Sequence, residues 1–185
     1  MLYSMFRIPA MVLGLLLALF AGLGSAMAQD DLDTLFAKLR DPATGSNVLR
    51  IEPLIWDAWM HGGTNAENEA LAKATQAMNV GLFNEADTQL SALVVSAPGF
   101  AEVWNKRATL YFIMGRMDKS LADIDKVVEL EPRHFGALSG RGMIYQRLGK
   151  NPEALAAFKD ALAVNPMMPG ARIAVQQLEK LVPEL

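Results

Sequence analysis

AEVWNKRATLYFIMGRMDKSLADIDKVVELEPRH, residues 101–134, and FGALSGRGMIYQRLGKNPEALAAFKDALAVNPMM, residues 135–168, stay in register when laid over each other. Tyr111 falls on Tyr145, Gly115 on Gly149, Leu121 on Leu155 and Pro132 on Pro166, a period of 34 residues. A third block, residues 67–100, lies upstream with Gly81 and Pro98 in the same columns. Self-similarity at this period marks stacked helical hairpins, each unable to bury its apolar face alone.

Each block divides into two helices. In residues 101–134, Val103, Trp104, Ala108, Tyr111 and Phe112 supply helix A, which Gly115 ends. Helix B begins near Asp118 and carries Leu121, Ile124, Val127, Val128 and Leu130. Asn84 and Asp118 share a column as candidate N-caps, and Asn151 caps the third block with Pro152 at the first helical position. Pro98, Pro132 and Pro166 stop helix B, because the residue before a proline is pushed out of the helical region. Small side chains recur at Ala74, Ala108 and Gly142 in helix A and at Ala86, Ser120 and Ala154 in helix B. They let antiparallel helices approach closely, with Leu90, Ile124 or Phe158 filling the next layer.

These columns resemble the tetratricopeptide repeat, W-x2-L-G-x2-Y…A-x3-F…P. The third block reads Leu138-x2-Arg141-Gly142-x2-Tyr145, Ala154-x3-Phe158, Pro166, and the second reads Trp104-x2-Arg107-Ala108-x2-Tyr111, Ser120-x3-Ile124, Pro132. The first, Ala70-x2-Lys73-Ala74-x2-Ala77, Ala86-x3-Leu90, Pro98, diverges most. All three depart from the pattern in one column, where Lys73, Arg107 and Arg141 replace an apolar residue. This basic column forms either a ladder for an acidic partner or a set of ion pairs with neighbouring helices, and the second is favoured.

The resemblance implies an all-α fold, a right-handed superhelix of helical hairpins whose helix A faces line a concave groove for a protein or peptide segment. By the family's geometry, the inward columns here are Asn68, Leu71, Thr75, Met78 and Asn79; then Glu102, Asn105, Thr109, Phe112 and Ile113; then Gly136, Ser139, Met143, Gln146 and Arg147. Ile173 and Gln177 follow on in the trailing helix. Amides and hydroxyls around Met78, Phe112, Ile113 and Met143 suit a largely neutral, partly apolar segment. A subset of the family grips a partner's terminal carboxylate with Lys, Asn and Arg. The matching positions here are Leu71, Thr75, Lys106, Gly136 and Gly140, so that clamp is absent.

Outside the repeats, residues 1–28 combine Arg7, an uncharged apolar run from Ile8 to Gly24 and the small-x-small triplet Ala26-Met27-Ala28. That is the pattern of a secretory signal peptide, with cleavage expected between Ala28 and Gln29. The alternative is an uncleaved anchor making the protein a membrane-tethered assembly factor; with cleavage the protein is periplasmic or secreted, from a bacterium. Residues 29–66 read as a helical hairpin. Leu32, Leu35, Phe36 and Leu39 form one face, with Asp30 or Asp31 as cap and Asp33 near the positive helix end. After a turn at Asp41-Pro42 to Ser46 comes a helix from about Asn47 to Met60, bearing Val48, Ile51, Ile55 and Trp59 with Trp56 beside them. Pro53 either kinks this helix or starts its regular part, and His61-Gly62-Gly63 ends it, the glycines relieving a left-handed stop. The hairpin is expected to cap the first repeat. Trp56 and Trp59 read as core rather than as a sugar-stacking platform. Residues 169–185 hold a capping helix, with Ala171, Val175, Leu178 and Leu181 against Arg172, Gln176, Glu179 and Lys180.

The chain of 185 residues has formal net charge −3, which argues against nucleic acid. Without cysteine there is no disulfide, thiol catalysis or thiolate metal site, and His61 and His134 are too few for a histidine metal site. No P-loop, dinucleotide turn or Ser/His/Asp motif is present, and Asp118, Asp123 and Asp125 read as solvated charges. The expectation is therefore an exported protein-interaction scaffold, not an enzyme, with no cofactor, metal or small-molecule substrate.

Overall fold

The computed structural model describes residues 32–40 and 48–182, without the side chains of 48 and 49. The leader with its Ala28–Gln29 junction, the caps at Asp30 and Asp31 and the turn after Asp41 lie outside the described residues. Those residues form nine helices and no strand. They are α1 (residues 32–40), α2 (Val48–Met60), α3 (Asn65–Asn79), α4 (Phe83–Ser96), α5 (Ala101–Ile113), α6 (Met117–Leu130), α7 (Phe135–Arg147), α8 (Asn151–Val164) and α9 (Pro169–Leu181). Helices α3/α4, α5/α6 and α7/α8 are the three hairpins, and each packs on the next.

Every turn within a hairpin pivots on a glycine with positive φ: Gly81 at 79°, Gly115 at 74° and Gly149 at 72°. Only glycine enters that region without cost, so the column is set by backbone geometry. Between hairpins, helix B ends one residue before Ala97, Glu131 and Asn165, each followed by its proline. The small-residue columns are buried as the packing argument requires. Ser120 also donates its hydroxyl to the Ala108 carbonyl at 2.7 Å, and a Cβ on Gly142 would meet the Phe158 ring at 2.9 Å.

Several local expectations are corrected. Asn84 and Asp118 lie inside the first turns of α4 and α6, where Leu82 and Arg116 hold the cap positions without a side-chain bond. Asn151 begins α8 and Lys150 precedes it as the cap. A capping box stands instead at Thr64 and Glu67, so α3 starts ahead of the repeat block. Pro53 lies within α2. Gly62 and Gly63 do not adopt positive φ; a Cβ on Gly63 would sit 2.7 Å from the Phe100 ring, so close approach is what demands glycine there. In α9, Ala174 is buried and Leu181 is exposed, reversing the expectation for Leu181.

The largest difference concerns the amino-terminal hairpin. It does not cap the first repeat. Helix α2 crosses the corners where one repeat passes to the next, burying Ile55 and Trp59 against Phe135, with Val164 and Met168 at the edge. Helix α1 adds Leu32, Phe36 and Leu39 to the same cluster. Polar ties fix the placement: Asn165 donates to Glu52 at 3.2 Å, and Arg133 pairs with Asp33 while lying over the Phe36 ring. Two tryptophans on one helical face need more apolar surface than the first repeat offers. His134 and Phe135 at the second corner, with Met168 at the third, supply it. The hairpin is a strap, not an end cap.

Candidate functional site

The strap divides the inner face formed by α3, α5 and α7. At the amino-terminal ends of α5 and α7 the face is closed. Trp59 stacks on His134 with ring centroids 3.9 Å apart and planes 9° from parallel, while Trp56 meets Phe135 edge-on at 5.4 Å. Beneath them Glu102, 1% exposed, accepts from His134 Nε2 at 2.9 Å, from Lys106 at 3.1 Å and from the Asn105 amide at 3.1 Å. The Ala137 N–H donates to His134 Nδ1 at 3.1 Å, so the imidazole carries its hydrogen on Nε2 and donates it in a hydrogen bond to Glu102. Burial pushes the Glu102 carboxyl up, but the bond from His134 and the Lys106 charge outweigh it and hold the group below its ordinary value.

The other half of the face is open. Exposed Thr109, Ile113, Met143, Gln146 and Arg147 stand with half-buried Phe112 and Ser139, and the Arg147 guanidinium lies 5.4 Å over the Phe112 ring. Between α5 and α7 a pocket of about 220 Å³ opens, walled by Phe112, Ile124, Met143 and Ile144 and reaching Asn105, Gly136 and Met168. It exists because Gly136, Ser139 and Gly140 put almost no side chain on this stretch of α7.

The expected groove residues therefore separate. Asn105, Thr109, Phe112, Gly136, Ser139 and Met143 come together around the pocket. Leu71 and Glu102 do not line an open surface: Leu71 is in the core of the first repeat and Glu102 is consumed beneath the strap. Asn68 exchanges two hydrogen bonds with the Gly63 backbone, closing the strap's junction to α3. Thr75 is half-buried and bonds the Leu71 carbonyl, Met78 packs on the first-repeat core and Asn79 is exposed. Beyond α7, Ile173 and Gln177 are exposed on α9.

On the basic column, Arg107 forms a two-pronged pair with Asp123 at 2.7 and 2.8 Å and lies 5.1 Å over Trp104. Arg141 pairs with Asp125 at 2.8 Å, while Lys73 is exposed. Asp123 is thus a buried partner, not a solvated charge. Among the described residues, no group of three or more His, Cys, Asp or Glu could hold a metal ion.

Residues 101–134 and 139–175 each match a tetratricopeptide repeat family profile. The chain is 34% identical over 167 residues to a TPR repeat-containing protein of Rhizobium etli, spanning 87% of this chain and 78% of that protein. Its fold is similar to the first TPR domain of Spaghetti (RPAP3) bound to the HSP90 peptide SRMEEVD (TM-score 0.62, 19% identity, 66% of this chain and 97% of that one). It is also similar to the Yersinia enterocolitica type III secretion chaperone SycD in complex with a peptide of the translocator YopD (TM-score 0.60, 11% identity, 65% and 98%).

Proposed function

Since this chain belongs to the tetratricopeptide repeat family, we propose that it is an exported, non-catalytic interaction module that captures a segment of a partner protein along the open half of its inner face. The observation that carries this reading is the division of that face. One half is filled by the protein's own strap, while the other leaves Thr109, Phe112 and Met143 around a pocket, with exposed Ile113, Gln146 and Arg147 on the same helices. Two domains of similar fold hold peptides, one from HSP90 and one from YopD. The residues on the open half differ from a carboxylate clamp, since Lys106 is drawn to Glu102 and Gly136 and Gly140 carry no side chain. The preferred segment is accordingly neutral and partly apolar.

Rigid stacking of the hairpins sets the cost of capture. The open face is already ordered by its own core, so little conformational entropy is lost on this side of the complex. The leader pattern of Arg7, the apolar run and Ala26-Met27-Ala28 supports a partner in the periplasm or outside the cell. Amino-terminal sequencing of the isolated protein tests export: Gln29 is the expected first residue, and a retained leader would instead make this a tethered protein.

Capture itself is tested by site-specific crosslinking in intact cells. Phe112→Ala combined with Met143→Ala should reduce crosslinked partners while helical circular dichroism is unchanged. Recovery of the same partners in the same amounts would refute the open half as the capturing surface.

A further inference from the structure

We propose that the pocket between α5 and α7 is the seat of one bulky apolar side chain (leucine, phenylalanine or tryptophan) presented by the bound segment, one helical turn beyond the seat the protein's own Trp56 fills. This rests on the groove reading above and names the chemistry of its anchor. At Gly136 the strap shows how such a seat works. A Cβ there would lie 2.4 Å from Trp56 Cη2, so the missing side chain is what lets the indole rest on the helix. Gly140 stands four residues on, on the same face of α7. It offers the same notch, but a Cβ there would meet only Ile124 Cδ1 at 3.7 Å. The interface that α2 makes with α7 thus continues directly into an unfilled seat.

The chemistry around that seat selects against polar occupants. The Ser120 hydroxyl is committed to the Ala108 carbonyl and the Thr109 hydroxyl to the Asn105 carbonyl, at 2.7 and 2.9 Å. The Asn105 amide nitrogen is committed to Glu102. A charged side chain entering here would lose its water and find few partners, whereas an apolar one forfeits no hydrogen bond. An apolar cavity of roughly 150 Å³ is enough to hold benzene, so about 220 Å³ admits a large aliphatic or aromatic group. Asn105 Oδ1 and the Ser139 hydroxyl remain to meet backbone N–H groups of the same segment.

The experiment uses protein expressed with its own leader and purified, with labelled Met and Ile methyl groups. N-acetyl amides of phenylalanine, leucine and lysine are the probes. The phenylalanine and leucine amides should shift Ile124, Met143 and Ile144 saturably, and the lysine amide should not. Gly140→Leu, which fills the seat, should abolish those shifts while keeping the thermal midpoint. Absence of saturable shifts, equal shifts with lysine, or shifts that survive Gly140→Leu would overturn the assignment. Crosslinking in cells separates the two levels. If Phe112→Ala/Met143→Ala loses partners and Gly140→Leu does not, the anchor assignment fails and the groove stands. If neither variant loses partners, the groove reading fails with it, and losses in both variants support both.

Discussion

The two halves of the inner face are built from the same repeat columns and end in opposite states. Under the strap, α5, α7 and the corner between α6 and α7 present Glu102, His134 and Phe135, all buried, with rings from α1 and α2 packed on the last two. Two turns further along the same helices, Thr109, Phe112, Met143 and Gln146 face outward. The difference lies in how polarity is handled. The closed half needs a charged network satisfied within the protein before aromatic rings can cover it. The open half keeps apolar walls, and the Ser120 and Thr109 hydroxyls among them are already bonded to the protein's own backbone. A protein can thus close one end of its inner face with its own chain and leave the other end open.

The sharpest break in that contrast is Trp59→Ala. Removing a ring buried against His134, Phe36 and Phe135 should cost about 3–5 kcal/mol in denaturant unfolding, whereas loss of an idle appendage would cost nearly nothing. Next comes acid. Because Glu102 is held below its ordinary value of 4.5, its contribution is complete above that pH and is lost as pH falls through the lowered value. Denaturant midpoints measured from pH 7 to pH 3 should therefore fall, and Glu102→Gln should flatten that part of the profile after an initial loss of about 2–3 kcal/mol. A smaller effect separates two glycines of one helix. Gly136→Ala should destabilise by about 1–2 kcal/mol by driving Trp56 off its seat. Gly140→Ala should stabilise by up to about 1 kcal/mol, since its Cβ fits and alanine favours the helix. Smallest of all, Met143→Ala on the open half should change stability by about 0.5 kcal/mol or less.

Much of the repeat architecture was legible because its signals are local and recur. Gly81, Gly115 and Gly149 announce their turns, Pro98, Pro132 and Pro166 announce the ends of helix B, and the Ala/Gly/Ser columns announce the hairpin contacts. The capping box Thr64-x-x-Glu67 was equally legible, and it places the start of α3 better than the repeat block does. The strap left fainter traces. Phe100, His134 and Met168 share the last column of the three blocks, an unusual run of bulky side chains at corners that need none for the turn itself. Even with that clue, nothing local joins Glu52 to Asn165 or Asp33 to Arg133. The pocket, too, follows from what is missing at Gly136, Ser139 and Gly140 across from Phe112, a vacancy that no motif spells out.

The amino-acid order alone determined the period and the hairpins, because each repeat interacts chiefly with its neighbours and the same short-range rules act in every copy. Only the tertiary structure decided which inward columns stay open. That choice depends on a single non-repeating hairpin finding its complementary surface some hundred residues away, where ring stacking and a buried carboxylate fix its place.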